Sequence, residues 1–242
     1  MKKFNKFWMV SLILCLVAGI FLPSSALAQE NNQANTSYTQ YEQYISEGIL
    51  GEDVSYDEWK NLVESSQKLE EILSNSTDFY EVYSSDATMA RASFTPKKGD
   101  VIITNGTSSA GILGHAGIAT SSSQILHIAG KGENPKTISF TKWHSDYTNK
   151  DRSSWTKVYR HKNSSVADEA AKWAIRKYKD SNAQYKITPN LASTDVTYCS
   201  KIVWQAYYYG PVPAEANGPT WGYRLPYDLP DTIHNLSYQH TY

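Results

Sequence analysis

Hydrophobic positions along the chain change their spacing more than once. Ser55-Tyr56-Asp57-Glu58 has the Ser-x-x-Glu form of a helix-capping box. Behind it Trp59, Leu62, Val63, Leu69, Ile72 and Leu73 recur at helical spacing, and Ser74-Asn75-Ser76 ends the run. Tyr38 to Ile49 reads as a shorter helix before it, and Ser84 to Ser93 as a linker after it. At Pro96-Lys97-Lys98-Gly99-Asp100 the texture turns to short β-rich runs. These are Val101 to Thr104, His115 to Thr120, Gln124 to Ala129, Thr137 to Phe140 and Trp155 to Arg160, with Ser121-Ser122-Ser123 as the turn between the second and third. Helical spacing returns behind Ser165-Val166-Ala167-Asp168, with Val166, Ala170, Trp173 and Ala174 on one face to about Lys179. It returns again near Cys199 and stops at Gly210-Pro211. The Pro- and Gly-rich stretch from Pro211 to Asp231 predicts irregular chain.

Met1 to Ala28 reads as a secretory signal: a basic start (Lys2, Lys3, Lys6), an apolar run from Phe7 to Leu22, and Ala26-Leu27-Ala28 as the cleavage site. Gln29 to about Ser37 is an Asn/Gln-rich lead-in. The expected organisation is a signal over 1–28, a helical segment and linker over 29–93, and the main domain over 94–242. No second hydrophobic run is long enough to cross a membrane, so a soluble, secreted, monomeric chain is expected. The leader holds three lysines and no acid, which leaves 20 basic against 24 acidic residues and a formal charge of −4. That mild balance gives no support for nucleic acid or a polybasic membrane surface. The 18 Tyr and 7 Trp are enough to line a groove, although aromatics more often fill cores.

Without the leader, which contains Cys15, one cysteine remains, Cys199, and it cannot form an internal disulfide. It stands where the last helix should begin. Unpaired N–H groups and the positive end of the helix dipole there favour thiolate, and the Cys199 N–H would face a developing oxyanion. A buried, inert cysteine is the plain alternative. Six histidines are present, and two of them, His115 and His127, lie on adjacent strands. A turn centred near Ser121 would set them opposite each other on one face of a hairpin. Gly117 and Ala129 on that face are small enough for a helix to approach. One histidine could serve as base toward the thiol while the other orients it; ordinary polar pairing is the rival reading. A zinc site is disfavoured by the lack of close ligand spacing. No Gly-x-Ser-x-Gly or phosphate-cradling Gly-rich motif occurs, and no cofactor is expected.

Four stretches carry a resemblance: Gly99-Asp100-Val101-Ile102-Ile103, Gly114-His115-Ala116-Gly117-Ile118, Leu126-His127-Ile128-Ala129 and Tyr198-Cys199-Ser200-Lys201-Ile202-Val203-Trp204. Over about Phe94 to Tyr209 the chain resembles circularly permuted papain-fold cysteine hydrolases of the NlpC-type superfamily, in its YiiX-like branch. It also resembles lecithin:retinol acyltransferase-like proteins, in which the histidines likewise precede the cysteine. The resemblance implies an α+β fold, with an antiparallel sheet carrying the histidines and packed on a Cys-bearing helix. It implies Cys199 as nucleophile, His115 as general base, His127 as the third polar residue and Tyr198 near the oxyanion site. Many unpermuted cell-wall members have Asp before the cysteine where this chain has Tyr198, which weakens any transfer of peptidoglycan specificity.

Three functions follow as expectations. The first is a secreted thiol hydrolase cleaving an amide bond in a cell-wall peptide, with an open groove lined by Trp143, Trp221 and Tyr223. The second keeps the site but acts on a lipid-like acyl ester or thioester, with a deep apolar tunnel beside Cys199. The third is a non-catalytic surface-binding module. The helical segment before Phe94 is either a pro-region cut near Met89-Ala90-Arg91-Ala92 or a buttress for the sheet.

Overall fold

The computed structural model describes residues 38–76, 94–106 and 113–242. The signal, the Asn/Gln-rich lead-in, the linker and the Met89–Ala92 processing point all lie outside the described residues. Residues 38–46 form helix α1, and Tyr56–Asn75 form α2. The predicted capping box is formed: the Ser55 hydroxyl accepts from the Glu58 N–H, and the Glu58 carboxylate accepts from the Ser55 N–H at 2.8 Å.

Eight strands follow: β1 (Val101–Thr104), β2 (His115–Ala119), β3 (Gln124–His127), β4 (Lys136–Ser139), β5 (Thr156–His161), β6 (Gln184–Tyr185), β7 (Val196–Thr197) and β8 (Leu236–Thr241). Between them lie α3 (Phe140–Trp143) with a π-type turn over His144–Thr148, α4 (Ser164–Tyr178), α5 (Cys199–Tyr209) and α6 (Leu229–Thr232). Six strands make one antiparallel sheet in the order β4-β3-β2-β1-β5-β8, so the chain is an α+β protein. β6 and β7 form a separate parallel pair.

Alternation along the strands divides the core between the two faces. Val101, Ile103, Ala116, Ile118, Leu126 and Ile128 join the cluster that holds α5 and α2. Ile102, Ile125, Ile138 and Val158 join a second cluster with Trp143 and Tyr147. An ion pair holds β1 against β5: buried Asp100 accepts from Arg160 Nε and Nη2, each at 2.7 Å.

α2 belongs to this core. Trp59 is fully buried, with Leu62 and Ser66 beside it on the inward face. At its far end Lys157 Nζ donates to the carbonyls of Leu73 (2.5 Å) and Ser76 (3.3 Å). A cation there satisfies orphan carbonyls and opposes the helix dipole.

Candidate active site

Cys199 is the first residue of α5 and is 4 % exposed. Its sulfur meets the backbone N–H of Ala116 in β2 and that of Ser200. The strand explains why the Ala116 donor is free to do this. The Ala119 N–H donates to the Asp100 carbonyl on the β1 side, and N–H groups alternate sides along a strand, so the Ala116 N–H points toward β3. Pairing of β2 with β3 covers only Ile118↔Leu126 and Ala119↔Ile125. Beyond those pairs the Ala116 N–H, next in sequence to His115, is left to the cysteine sulfur.

His115 and His127 are both buried, and His115 Nε2 lies 2.9 Å from His127 Nδ1. The expected pairing of the two strands is shifted by two residues, because the observed turn is centred on residue 122 rather than 121. A shift of two keeps both histidines on one face, and their rings meet diagonally. That face is not the one on which the Cys-bearing helix packs, as the small residues Gly117 and Ala129 had suggested. α5 packs on the Ala116 and Ile118 face. Gly117 instead admits the indole of Trp143: a Cβ there would fall 2.4 Å from Ile125 Cγ2 and 3.2 Å from Trp143 Cζ3. The Trp143 and Tyr147 rings lie 5.2 and 4.7 Å from the His115 ring. Trp143 Nε1 donates to Thr156 Oγ1 at 3.1 Å, which fixes the indole in place.

Electrostatics keep the site neutral at rest. Burial pushes the Cys199 thiol above its ordinary value, against the pull of the Ala116 and Ser200 N–H groups. Burial therefore opposes the thiolate that the helix end favours. Burial first, and His127 second, hold His115 well below the ordinary imidazole range. Burial and Lys136 lower His127 to about 4. His115 Nδ1 and His127 Nε2 are buried without a hydrogen-bond partner among the described residues. If His115 Nε2–H donates to His127 Nδ1, His115 Nδ1 is left as the basic nitrogen.

A pocket of about 340 Å³, open mouth included, reaches the sulfur. Its walls include Leu62 of α2, Leu113, Tyr185, Ile187, Tyr198 and Leu225, so it is mainly apolar. Tyr198 and Tyr223 are among its lining residues. The Tyr198 hydroxyl accepts from the Arg224 N–H at 3.1 Å, and Ser200 Oγ donates to the Arg224 carbonyl at 2.6 Å. Trp143 does not line the pocket: it is fully buried beneath the imidazoles, because Gly117 leaves it room. Trp221 is 61 % exposed and also stands outside the lining. Among the described residues no three His, Cys, Asp or Glu side chains stand close enough to hold a metal ion.

Sequence reading missed Lys201, Gln205 and Asp228. Lys201 is fully buried and donates to the carbonyls of Asn190 (2.6 Å) and Val196 (2.7 Å); burial lowers it to about 8. Gln205 Nε2 donates to the carbonyls of Leu191 (2.6 Å) and Ser193 (3.0 Å). The two side chains hold the segment that leads into Cys199. Their four-residue spacing on an otherwise apolar helix was the available signal. Asp228, raised to about 7 by burial, accepts from the Leu225 N–H at 3.0 Å beside the pocket.

Fold and site together define an α+β protein in which the buried thiol of Cys199 lines a mainly apolar pocket and a hydrogen-bonded pair of imidazoles is buried on the other face of the sheet. The family model described as "Lipoprotein N-acylation protein LnsA-like" matches residues 67–231, and the chain belongs to that family. An uncharacterized 30.3 kDa protein of Bacillus thuringiensis is 39% identical over 148 residues, which are 58% of this chain and 54% of that protein. The chain thus spans about half the length of this curated relative. The crystal structure of the metalloprotein yiiX from Escherichia coli O157:H7 aligns over 62% of this chain and 99% of its own, with a TM-score of 0.46 and 14% identity.

Proposed function

We propose that this protein is a thiol-dependent acyltransferase or acyl hydrolase acting on a lipid-like acyl ester in the cell envelope. The observation that carries the reading is a mainly apolar pocket lined by Cys199, whose sulfur lies beside the strand that begins with the buried imidazole of His115, its Nδ1 without a partner among the described residues. Membership of a family named for lipoprotein N-acylation supports acyl chemistry and an envelope setting. Nothing in this pocket favours cell-wall peptide over an acyl chain.

In the proposed cycle His115 Nδ1 takes the thiol proton as the sulfur attacks the acyl carbonyl. The carbon–oxygen bond to the leaving alcohol breaks, the alcohol takes the proton from His115, and the acyl group stays on sulfur as a thioester. Water or an acceptor amine then attacks the thioester, giving up a proton to His115, and the thiol is restored. His127 accepts the His115 Nε2–H bond throughout and fixes the tautomer. The first backbone N–H groups of α5 face the oxyanion. Starting from a neutral thiol and a neutral imidazole, the proton moves only when the carbonyl is in place. The run of histidine strands first and cysteine helix last supports assignment to the permuted papain-like, NlpC-type fold.

The test is mass spectrometry of the Cys199 peptide after incubation with phospholipid or p-nitrophenyl acyl esters, and in parallel with purified cell wall. Acyl adducts on Cys199 with lipid esters are expected. Release of wall fragments without any adduct from esters would overturn the proposal.

A further inference from the structure

The pocket beside Cys199 is not built by the sheet and α5 alone. One wall is Leu62, in the first half of α2, ahead of the stretch 67–231 that the family model matches. Leu62 is 8 % exposed, between fully buried Trp59 and Ser66 on the inward face. Ile72, on the same helix, is 53 % exposed.

α2 is fastened along its length. The capping box closes its start. Asn105 Nδ2 donates to Glu70 Oε1 and Trp155 Nε1 to Ser74 Oγ, each at 3.1 Å. Lys157 holds its last carbonyls. A helix fixed at both ends cannot swing aside cheaply, so its inward side chains act as a rigid boundary of the pocket. The other apolar aliphatic and aromatic walls near it (Leu113, Tyr185, Ile187, Leu225) come from loops and from the β6 region.

We infer that α2 is the acyl-chain gauge of this protein: Leu62 limits how long a straight hydrocarbon chain attached at the Cys199 sulfur can be. This rests on the acyl reading of the site and adds to it the selector of the substrate. In an apolar pocket one methylene too many or too few changes selection by roughly tenfold or more. Truncating Leu62 opens space for a longer chain, and widening it removes space already used. The residue that sets the gauge, Leu62, lies ahead of the matched stretch 67–231.

The experiment reads access to the sulfur directly. The full-length protein is treated with alkyl methanethiosulfonates from methyl to hexadecyl. The thiolate displaces methanesulfinate and keeps the alkylthio group as a mixed disulfide, so no enzymatic turnover is needed. Rates at the Cys199 peptide are measured for wild type, Leu62→Ala, Leu62→Trp, the milder Leu62→Met and the outward control Ile72→Ala. Relative to the methyl reagent, Leu62→Ala should speed the longest chains, and Leu62→Trp should slow them, by about tenfold or more. Leu62→Met should move the preference by less, and Ile72→Ala should not move it. Should the tryptophan variant fail to fold, the alanine and methionine variants decide. An unmoved length profile in every folded Leu62 variant overturns the gauge. Turnover of the p-nitrophenyl ester series is followed in parallel. Cys199-dependent turnover with an unmoved profile removes the gauge alone; absence of turnover at every chain length removes the acyl reading and the gauge with it.

Discussion

The two faces of the six-stranded sheet solve opposite problems. On one, α5 and α2 leave a space beside the Cys199 thiol. On the other, Trp143 and Tyr147 leave none: they press on His115 and His127 until both rings are stripped of water. The Cys199 thiol therefore lines a pocket, and the two imidazoles face a packed aromatic floor. Under the proposed cycle, reactivity would come from an uncharged pair that waits for a carbonyl, not from a stored ion pair.

Substitutions can break this contrast one face at a time. Cys199→Ala should abolish acyl turnover, by about 10⁴-fold or more, while thermal unfolding stays cooperative. Unchanged turnover would end the proposal for that face. His115→Ala should lower kcat by about 10³-fold, because the base is lost, with KM little changed. His127→Asn, which keeps an acceptor, should cost less than His127→Ala. Equal losses would mean that His127 does not act by orienting the base.

The aromatic floor predicts a stability effect. Trp143→Ala should cost about 3–5 kcal/mol in denaturant unfolding and reduce kcat as the imidazoles loosen. The same face sets the pH dependence. His127 titrates near 4 when folded and at its ordinary 6.5 when unfolded, so the unfolded chain binds the proton first as pH falls. The stability this group contributes is complete above pH 6.5 and is lost between 6.5 and about 4, an effect on the order of 3 kcal/mol. His115, held low by the same burial, adds to that loss in the same direction. The acid limb of kcat/KM should accordingly fall well below pH 6.5. A limb at 6.5 or above would point to an imidazole open to water. The smallest effect expected is that of Lys157→Met, which frees the end of α2 and should lower stability by about 1–2 kcal/mol.

Much of this was readable because it is local. The capping box at Ser55, the strands around His115 and His127, and a helix starting at Cys199 follow from spacing within a few residues. Register did not: three serines do not reveal where a turn is centred, and the pairing is displaced by two residues. Nor did the choice of face, since which helix covers which side of a sheet is decided by connections dozens of residues long. Trp143 reads as a groove residue until Gly117 is seen to lie beneath it. The thiol's state was misjudged for a related reason: the helix end acts locally, while burial, which outweighs it, is assembled by the whole fold. β8 escaped notice because it is an edge strand, half-exposed at all six positions and paired only with distant β5.

The bond from the Ala116 amide to the Cys199 sulfur ties a backbone proton to the covalent state of a side chain. In the proposed thioester the sulfur would be a poorer acceptor, and that buried N–H would lose much of its bond. The Ala116 amide resonance and its deuterium uptake would thus register each turn of the cycle, making a strand in the core a built-in gauge of occupancy that needs no added label.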